Sequence, residues 1–282
     1  MTYILYNDLA GDRNKKFDKT VLLNTEFYSG TFVNVTEVEH SSFFASLKDD
    51  DVLLVCGGDG TLNRFVNKIE GLDFKGEIYY LPSGTGNDFA KDTGHEKDKK
   101  PFCITRFLKK LPTITVNGKT YRFLNGVGLG LDGYCCEEVN KKKNEGKSKV
   151  NYIKIALKGL LYKFKPVNAT VTVDGVTKNY KKVWMVPTMF GKFYGGGVMP
   201  APDQDRESKK GTLSAMVVSG CNKYKCLFLF PTILKGTHVK HKKIINMIEG
   251  KQIKVCFDRP VSLQIDGETF LKVSSYTVNA YA

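Results

Sequence analysis

The sequence predicts two domains: an α/β N-terminal domain built on a parallel sheet, and a second domain that is a mainly antiparallel β-sandwich. In residues 1–122, strand and helix patterns alternate, and the strands are continuously apolar. Such strands are typical of a parallel sheet covered on both faces. After about residue 113, β-rich segments flank Asn-Gly and Asp-Gly, the strongest short hairpin signals. We place the boundary near 113–125 and assign 1–122 and 123–273 to the two domains, with 274–282 able to return to the first.

Four strands are predicted in the first domain, and each is followed by a helix. The strands are TYILYN (2–7), TFVNVTEV (31–38), VLLVCGG (52–58) and EIYYLPSG (77–84). The helices are RNKKFDKTVLLNTE (13–26), HSSFFASLKD (40–49), LNRFVNKIEGL (62–72) and a short helix from Asn87. KPFCITRFLKKL (100–111) is predicted to be an amphipathic helix, because Ile104, Phe107, Leu108 and Leu111 share one helical face.

The second domain is predicted from hairpins and single strands around one helical region. TITVNGKTYRF (113–123) and ATVTVDGVTKNY (169–180) each place a two-residue turn between β-rich arms. TLSAMVVSG (212–220), QIKVCFD (252–258) and PVSLQIDGE (260–268) continue as separate strands. Residues 132–165 form the helical interruption.

The excess of positive over negative charge lies entirely in the second domain. The formal net charge is +14, and residues 1–122 contain 17 basic and 17 acidic side chains, whereas 123–282 contain 26 and 12. An uneven basic balance indicates either an anionic partner or a solvated lysine-rich surface. Since no base-reading pattern is evident, we expect an anionic membrane surface as partner and no nucleic acid.

Neither a secretion signal nor a membrane span is predicted. MTYILYNDLAG lacks a basic leader followed by an apolar segment, and no apolar run approaches the ~20 residues of a membrane helix. The seven cysteines are odd in number and contain no C-x-x-C pair, which argues against zinc sites and a disulfide framework. We expect a cytoplasmic protein that associates peripherally with membranes, and a homodimer is left open.

A carboxylate stands among glycines where the third strand ends. Gly57, Gly58 and Gly60 surround Asp59, and ligands bind at this edge of open α/β sheets. Glycines let main-chain N–H groups approach a phosphate, but a carboxylate there needs a cation, usually Mg²⁺ with a nucleotide. A plain turn is the alternative. The second loop, LPSGTGNDFA (81–90), repeats the layout, so Asp59 and Asp88 could share one metal–nucleotide site, although Asp88 could also be a simple helix cap.

GGDGTLN (57–63) followed by LPSGTGNDFA resembles the catalytic domain of the diacylglycerol kinase family, which includes bacterial soluble lipid kinases and the sphingosine and ceramide kinases. YNDLAG (6–11) is similar to the family's opening loop. FLNGVGLGLDG (123–133), YGGGVMPAPDQD (194–205) and SLQIDGE (262–268) resemble its second-domain signatures, in the right order. GGDGT alone is shared with NAD kinases and phosphofructokinases, and the first domain is expected to be similar to theirs.

The resemblance implies a lipid kinase that uses ATP and Mg²⁺ in phospholipid metabolism. The γ-phosphate would pass to a lipid hydroxyl, of diacylglycerol or a similar lipid, at an interdomain cleft. Asp59 and Asp88 would position the catalytic Mg²⁺ through waters. The implied nucleotide site comprises Asn7, Asp8, Leu9, Ala10, Gly11, Thr36, Gly57, Gly58, Asp59, Gly60, Thr61, Leu62, Asn63, Gly84, Thr85 and Asn87.

The proton acceptor implied by the resemblance comes from the IDGE segment, as Asp266 or Glu268. A base of this kind accepts the proton of the attacking hydroxyl. A hairpin turn is the plainer interpretation of Asp-Gly after alternating apolar residues.

Two positions depart from the family pattern. Arg64 stands where the family commonly has Glu, and it could contact phosphate or point to solvent. Lys210 stands where many bacterial members have an Asp that helps to bind a structural Mg²⁺. We expect that metal site to be lost, with the Lys210 ammonium replacing its charge and pairing with Asp203 or Asp205.

Two other functions are kept as alternatives. One is a small-molecule kinase of the NAD kinase type, against which the Gly-Thr-x-Asn-Asp string argues. The other is a non-catalytic regulator that binds a nucleotide or a polyanion, against which the intact Asp59, Asp88, Asp266 and Glu268 argue.

Overall fold

The computed structural model describes residues 1–8, 17–37, 40–71, 74–98, 100–145 and 150–281. The chain forms two compact units, Met1–Lys110 and Leu111–Ala282. This division precedes the boundary predicted at residue 122. Residues 274–279 belong to the last strand of the second unit.

The first unit is built on a five-stranded sheet in the order β2-β1-β3-β4-β5. The first four strands are parallel, as predicted, and β5 pairs antiparallel with β4. The central strands are almost fully buried because helices cover them, which explains their continuous apolar sequence. The strands are β1 (Thr2–Tyr6), β2 (Thr31–Asn34), β3 (Val52–Gly57), β4 (Glu77–Pro82) and β5 (Phe102–Cys103).

Among the described residues of this unit, four α-helices accompany the sheet. Helix α2 begins directly after β3, and it buries Leu62, Phe65 and Val66 at helical spacing. This packing fixes the first turn of α2 at the sheet edge. The helices are α1 (His40–Ala45), α2 (Asp59–Lys68), α3 (Asp88–Asp92) and α4 (Thr105–Leu108).

Two helix predictions in the first unit were wrong over the described residues. In the predicted helix 13–26, only a short 3₁₀ turn forms, Lys19–Leu22, because the Asp18 carboxylate accepts the Thr20 N–H and turns the chain locally. Residues 13–16 of that prediction lie outside the described residues. In the predicted helix 100–111, β5 comes first, and only Thr105–Leu108 are α-helical.

The edge strand β5 is held by aromatic packing that helical periodicity does not reveal. Phe102 is buried, and its ring stacks on His95 with a centroid distance of 4.0 Å. The Thr105 hydroxyl accepts the Ile78 N–H at 2.8 Å, which ends the strand and starts the next helix. The apolar residues of the segment are buried as expected, although they do not share one helix face.

Over its described residues, the second unit contains ten strands that pair antiparallel, as predicted. Eight follow the order β13-β12-β11-β8-β14-β15-β6-β7, and the β9–β10 hairpin joins through β14. The strands are β6 (Thr113–Val116), β7 (Lys119–Arg122), β8 (Gly126–Gly130), β9 (Val167–Val173), β10 (Val176–Val183), β11 (Met185–Met189), β12 (Leu213–Val218), β13 (Ile245–Gly250), β14 (Gln252–Ile265) and β15 (Glu268–Asn279).

Both predicted hairpins are confirmed. Asn117 and Asp174 adopt left-handed φ angles of 50° and 47°, and each is followed by a glycine of positive φ. Two consecutive residues of positive φ form the turn whose twist matches the flanking strands. The separate strands predicted at 252–258 and 260–268 are instead one strand, β14, with an irregular register around Pro260.

Two helices of the second unit overlap the predicted helical region 132–165, and a third lies C-terminal to it. They are α5 (Leu131–Asn144), α6 (Tyr152–Lys158), which continues into a π turn (Gly159–Lys163), and α7 (Lys223–Leu234). All seven cysteines are free thiols. Over the described residues, no helix is long and apolar enough to cross a membrane.

Candidate active site

The two glycine loops of the first unit meet at one edge of its sheet, as the sequence predicted. Gly57 at the end of β3 is in register with Pro82 at the end of the parallel neighbour β4. The loops touch, since a Cβ added to Gly84 would lie 2.4 Å from the Gly58 Cα. No real Cβ tolerates that distance, so only glycine allows this approach.

Asp59 connects the two loops through its carboxylate. Its Oδ2 accepts the Asp88 N–H and its Oδ1 accepts the Phe89 N–H, both at 2.9 Å. Those N–H groups belong to the first turn of α3 and have no partner within that helix. Asp59 therefore caps α3 from a different loop, and this tertiary contact places it beside Asp88.

Asn87 shapes the second loop. It adopts a left-handed φ of 50°, and its side chain bonds both main-chain groups of Gly84, accepting the N–H and donating to the carbonyl at 2.9 Å. Asn tolerates this backbone conformation better than most residues. The prediction that Asn87 contacts nucleotide stays a prediction; in the structure its amide holds the loop.

Tyr80 supports both loops, and sequence reasoning missed it. Its hydroxyl donates to the Gly57 carbonyl at 3.0 Å from a fully buried ring. Burial raises the pKa of the Tyr80 hydroxyl well above its usual value, and the charges of Asp59 and Asp88 raise it further. The two carboxylates are thus electrostatic neighbours of one buried group. A tyrosine in an apolar strand just before a glycine loop was the available signal.

The ends of β1 and β2 contribute polar groups at the same sheet edge. Asp8 accepts the Phe17 N–H at 3.0 Å, and the Asn34 amide donates to Glu37 at 2.8 Å. Thr36 donates its hydroxyl proton to the Asn34 Oδ1 at 2.9 Å. Asn34 is buried at the end of β2 and was not predicted. Of the other predicted residues in the opening loop, Asn7 is described, whereas Leu9, Ala10 and Gly11 lie outside the described residues.

Some of the remaining predicted nucleotide-binding residues are buried, and others are exposed to solvent. Leu62 and Asn63 are buried in the first turns of α2, so the Leu62 side chain belongs to the core. Thr85 and Arg64 are exposed, and a Cβ at Gly60 would meet open space. The open side of the loops is therefore bordered by Gly60, Thr61 and Thr85.

In the second unit, the IDGE segment forms the turn between β14 and β15. Asp266 and Gly267 have φ angles of 45° and 90°, which confirms the hairpin. The Asp266 carboxylate is buried and accepts three main-chain N–H groups, from Leu124 at 2.5 Å, Asn125 at 2.9 Å and Gly126 at 3.0 Å. It thereby anchors a distant loop. Glu268 begins β15 and is partly exposed.

Arg206 binds the same loop, and it was not predicted. Its guanidinium donates to the Leu124 carbonyl at 3.3 Å and to the Asn125 Oδ1 at 3.2 Å. It also lies 5.4 Å from the centre of the Phe190 ring. A buried cation and a buried carboxylate therefore hold one short loop, and nothing in the local sequence pairs them.

Comparison with known proteins assigns both units. Residues 1–116 match the diacylglycerol kinase catalytic domain family, and residues 125–278 match the YegS C-terminal NAD kinase beta sandwich-like domain family. The chain belongs to the diacylglycerol kinase family of lipid kinases. The resemblance inferred from GGDGTLN and LPSGTGNDFA is confirmed.

Three similar proteins share between 20% and 30% of their residues with this chain over the matched parts. "Putative lipid kinase SAS0691" of Staphylococcus aureus (strain MSSA476) is 30% identical over 80% of this chain and 73% of its own length. "Putative lipid kinase YtlR" of Bacillus subtilis (strain 168) is 27% identical over 77% and 73%. A crystal structure of "a putative diacylglycerol kinase" from Bacillus anthracis str. Sterne matches with a TM-score of 0.68 and 20% identity, over 100% of this chain and 96% of that chain. That likeness shows the fold.

Lys210 forms a different ion pair from the one that the sequence predicted. The Lys210 ammonium lies 3.9 Å from Glu249, and the predicted pairing with Asp203 or Asp205 is not formed. Glu249 also accepts the Thr212 hydroxyl at 2.5 Å. Glu249 is the partner because β13 lies beside β12, directly after the lysine. These side chains line a cavity of about 350 Å³, and the described residues contain no cluster of three or more metal-ligating side chains.

Asp132 is a buried carboxylic acid in the GLGLDG signature of this family. Burial raises its pKa to about 7, and hydrogen bonds from the Gly133 N–H and the Tyr194 hydroxyl oppose that shift only in part. The space beside it is tight, since a Cβ on Gly128 would lie 1.5 Å from the Asp132 Oδ2. The carboxyl is therefore protonated in the folded protein up to near neutral pH.

The contribution of Asp132 to the stability of the protein is expected to fall as the pH rises from about 4 to 7. In that window the folded state keeps a proton on Asp132 that the unfolded chain releases near its ordinary pKa of 3.8. A group whose pKa is raised on folding stabilises the fold at low pH and loses that contribution as pH rises.

The measurement is the urea midpoint of unfolding across this pH range. The isosteric Asp132→Asn variant should show a smaller decline than the wild type, because its amide does not titrate. Equal slopes in the two proteins would contradict the assignment of this titration to Asp132.

Proposed function

We propose that this protein is a lipid kinase that uses ATP and Mg²⁺ and transfers the γ-phosphate to the hydroxyl group of a lipid, diacylglycerol or a similar alcohol. The single observation that supports this best is the Asp59 carboxylate, which joins two glycine loops at the carboxyl edge of a parallel sheet. A plain turn does not need this contact. Membership of the lipid kinase family supports a lipid as the acceptor.

The chemistry of the loops fits a hydrated Mg²⁺–nucleotide complex. Each oxygen of Asp59 accepts one main-chain N–H, and carboxylate oxygens are the kind of ligand that Mg²⁺ takes. Mg²⁺ usually keeps several waters and takes one or two carboxylates together with phosphate oxygens. Asp59 and Asp88 would hold the metal in this way, and the metal, when bound, would offset the charge of the transferred phosphate.

Groups of the protein itself would bind and orient the phosphates. The N-terminus of α2 presents main-chain N–H groups and the positive end of a helix dipole, which suits phosphate oxygens. The open side at Gly60 leaves room for them. Tyr80 and Asn87 keep the two loops in place.

Glu268 is the better candidate for the proton acceptor. The Asp266 carboxylate already accepts three N–H groups, and such bonds stabilise the charged form and weaken it as a base. Glu268 follows it by two residues and is partly exposed. Under this proposal Asp266 is a positioning residue and Glu268 takes the hydroxyl proton.

Transfer of radiolabelled phosphate from ATP to lipids in mixed micelles tests the proposal. The panel contains diacylglycerol, a sphingoid base, an undecaprenol-like alcohol and phosphatidylglycerol, with NAD as a separate acceptor. We expect label in the lipid extract for at least one alcohol, only with Mg²⁺ present. Label in NAD alone would establish the NAD kinase alternative. ATP binding without transfer to any acceptor would favour the regulatory alternative.

A further inference from the structure

Three aromatic side chains of the second unit are exposed to solvent close to one another. Tyr162 is 77% exposed, Tyr224 60% and Phe228 83%. We call these three residues the aromatic patch. Large exposed rings are costly in water and often mark a contact surface.

The contacts of Lys223 show that Tyr162 and Tyr224 lie close to each other. The Lys223 ammonium donates to the Leu161 carbonyl at 3.2 Å, and it lies 5.9 Å from the Tyr162 ring and 5.4 Å from the Tyr224 ring. Phe228 is four residues after Tyr224 on α7, hence on the same helix face. The patch therefore extends along α7 from the end of the π turn.

The aromatic patch is not needed for the packing of α7. The opposite face of this helix already buries Cys226, Leu229 and Ile233 in the core of the second unit. A helix with a buried inner face usually has a polar outer face. Here the outer face carries Tyr224 and Phe228 instead.

The two sequence segments that contain the patch have basic residues and no acidic ones. No Asp or Glu occurs between Glu145 and Asp174, or between Glu207 and Glu249. These two segments contain the elements that form the patch. The described lysines of α6, its π turn and α7 are Lys154, Lys158, Lys163, Lys223 and Lys225.

We propose that the aromatic patch docks on the surface of an anionic lipid bilayer, with its rings among the lipid headgroups and the lysines of α6, the π turn and α7 on those headgroups. The inference rests on the proposed lipid kinase function, since it explains how this enzyme reaches a membrane-borne substrate. Tyrosine and phenylalanine suit the boundary between headgroups and acyl chains. Lysines near an anionic surface add attraction that salt screens.

Sedimentation with vesicles tests the docking. Wild type should bind vesicles of equal parts phosphatidylcholine and phosphatidylglycerol, weakly at high salt, and bind pure phosphatidylcholine poorly. Y162S/Y224S/F228S should bind the mixed vesicles about ten-fold or more weakly, because each buried ring contributes strongly to interfacial partitioning. The matched control is Val176→Ser, which alters a side chain of the same unit that is 75% exposed outside the patch.

A second assay separates this inference from the proposed function. The patch variant should phosphorylate a short-chain lipid in detergent micelles as the wild type does, while it loses activity on vesicles. Vesicle binding by a wild type that phosphorylates no lipid would refute the kinase function and leave the docking intact.

Three outcomes would overturn the docking. The first is equal vesicle binding by the patch variant and the control. The second is binding of single-stranded RNA in place of vesicles. The third is a dimer in solution that the patch variant lacks, which would assign the patch to a second copy of this chain.

Discussion

Asp59→Asn is expected to lower phosphate transfer from ATP to lipid by about 10²-fold or more, because it removes a carboxylate that would hold the Mg²⁺ whose charge offsets that of the transferred phosphate. The substitution keeps the size of the side chain and removes its charge. It also leaves one acceptor oxygen where the carboxylate accepts both the Asp88 and Phe89 N–H groups. The new amide NH₂ would then face one of these donors.

The structural part of this effect can be bounded. Loss of one charge-assisted hydrogen bond at the N-terminus of α3 should cost roughly 1–3 kcal/mol of stability, which a folded two-domain chain tolerates. Transfer is therefore measured at a temperature where circular dichroism shows the variant folded. The urea midpoint reports the cost to the first unit.

Asp49→Asn is the matched control, because Asp49 is an exposed carboxylate of the same unit, 3.6 Å from Lys75. Surface pairs of this kind contribute little, so the control should keep both activity and stability. Asp59→Asn with nearly full transfer but a lowered urea midpoint would show that Asp59 is only a helix cap.

The parts of the fold that sequence predicted are those that local patterns determine. β3 is buried on both faces and continuously apolar, β4 is apolar after Glu77, and each strand ends at a glycine loop. Asn117-Gly118 and Asp174-Gly175 form hairpins because they tolerate positive φ at two successive positions. These signals depend on few distant contacts.

The parts that sequence missed depend on contacts across the chain. β5 is a strand because Phe102 stacks on His95 and packs near Phe89, not because of its own periodicity. Its apolar residues also match a helix, and tertiary packing decided between the two. Lys210 pairs with Glu249 because two strands far apart in sequence lie side by side.

The candidate site shows the same division. Asp59, Asp88 and their glycines were predicted from their position at strand ends, and Asp266 and Glu268 from the family resemblance, whereas the partners of these carboxylates were not predicted. Asp59 and Asp266 have a common arrangement, in that each carboxylate accepts main-chain N–H groups from a distant segment. Asp59 fixes α3, and Asp266 fixes the loop at 124–126. A carboxylate in a turn can thus hold the main chain of a distant segment in place. Substitutions are needed to distinguish this structural role from a role in catalysis.

Glu268→Gln and Asp266→Asn are expected to fail in different assays. Glu268→Gln should reduce transfer by about 10²- to 10⁴-fold, the usual contribution of a general base, because the amide cannot take the hydroxyl proton. Its unfolding midpoint should match the wild type, since Glu268 lies at the partly exposed start of β15. ATP binding should be unchanged as well.

Asp266→Asn should instead destabilise the second unit by roughly 3 kcal/mol or more, the cost of breaking charge-assisted bonds to buried donors. One amide oxygen cannot serve Leu124, Asn125 and Gly126 together, and the NH₂ group would oppose the Leu124 N–H. Activity should fall only as far as the loop is disordered, and it should recover partly on cooling or in a stabilising osmolyte. The two variants control for each other, because they lie on the same hairpin. If Asp266→Asn proved as stable as the wild type and inactive, while Glu268→Gln kept its activity, Asp266 would be the base, and its three N–H bonds would serve to hold it in place for that step.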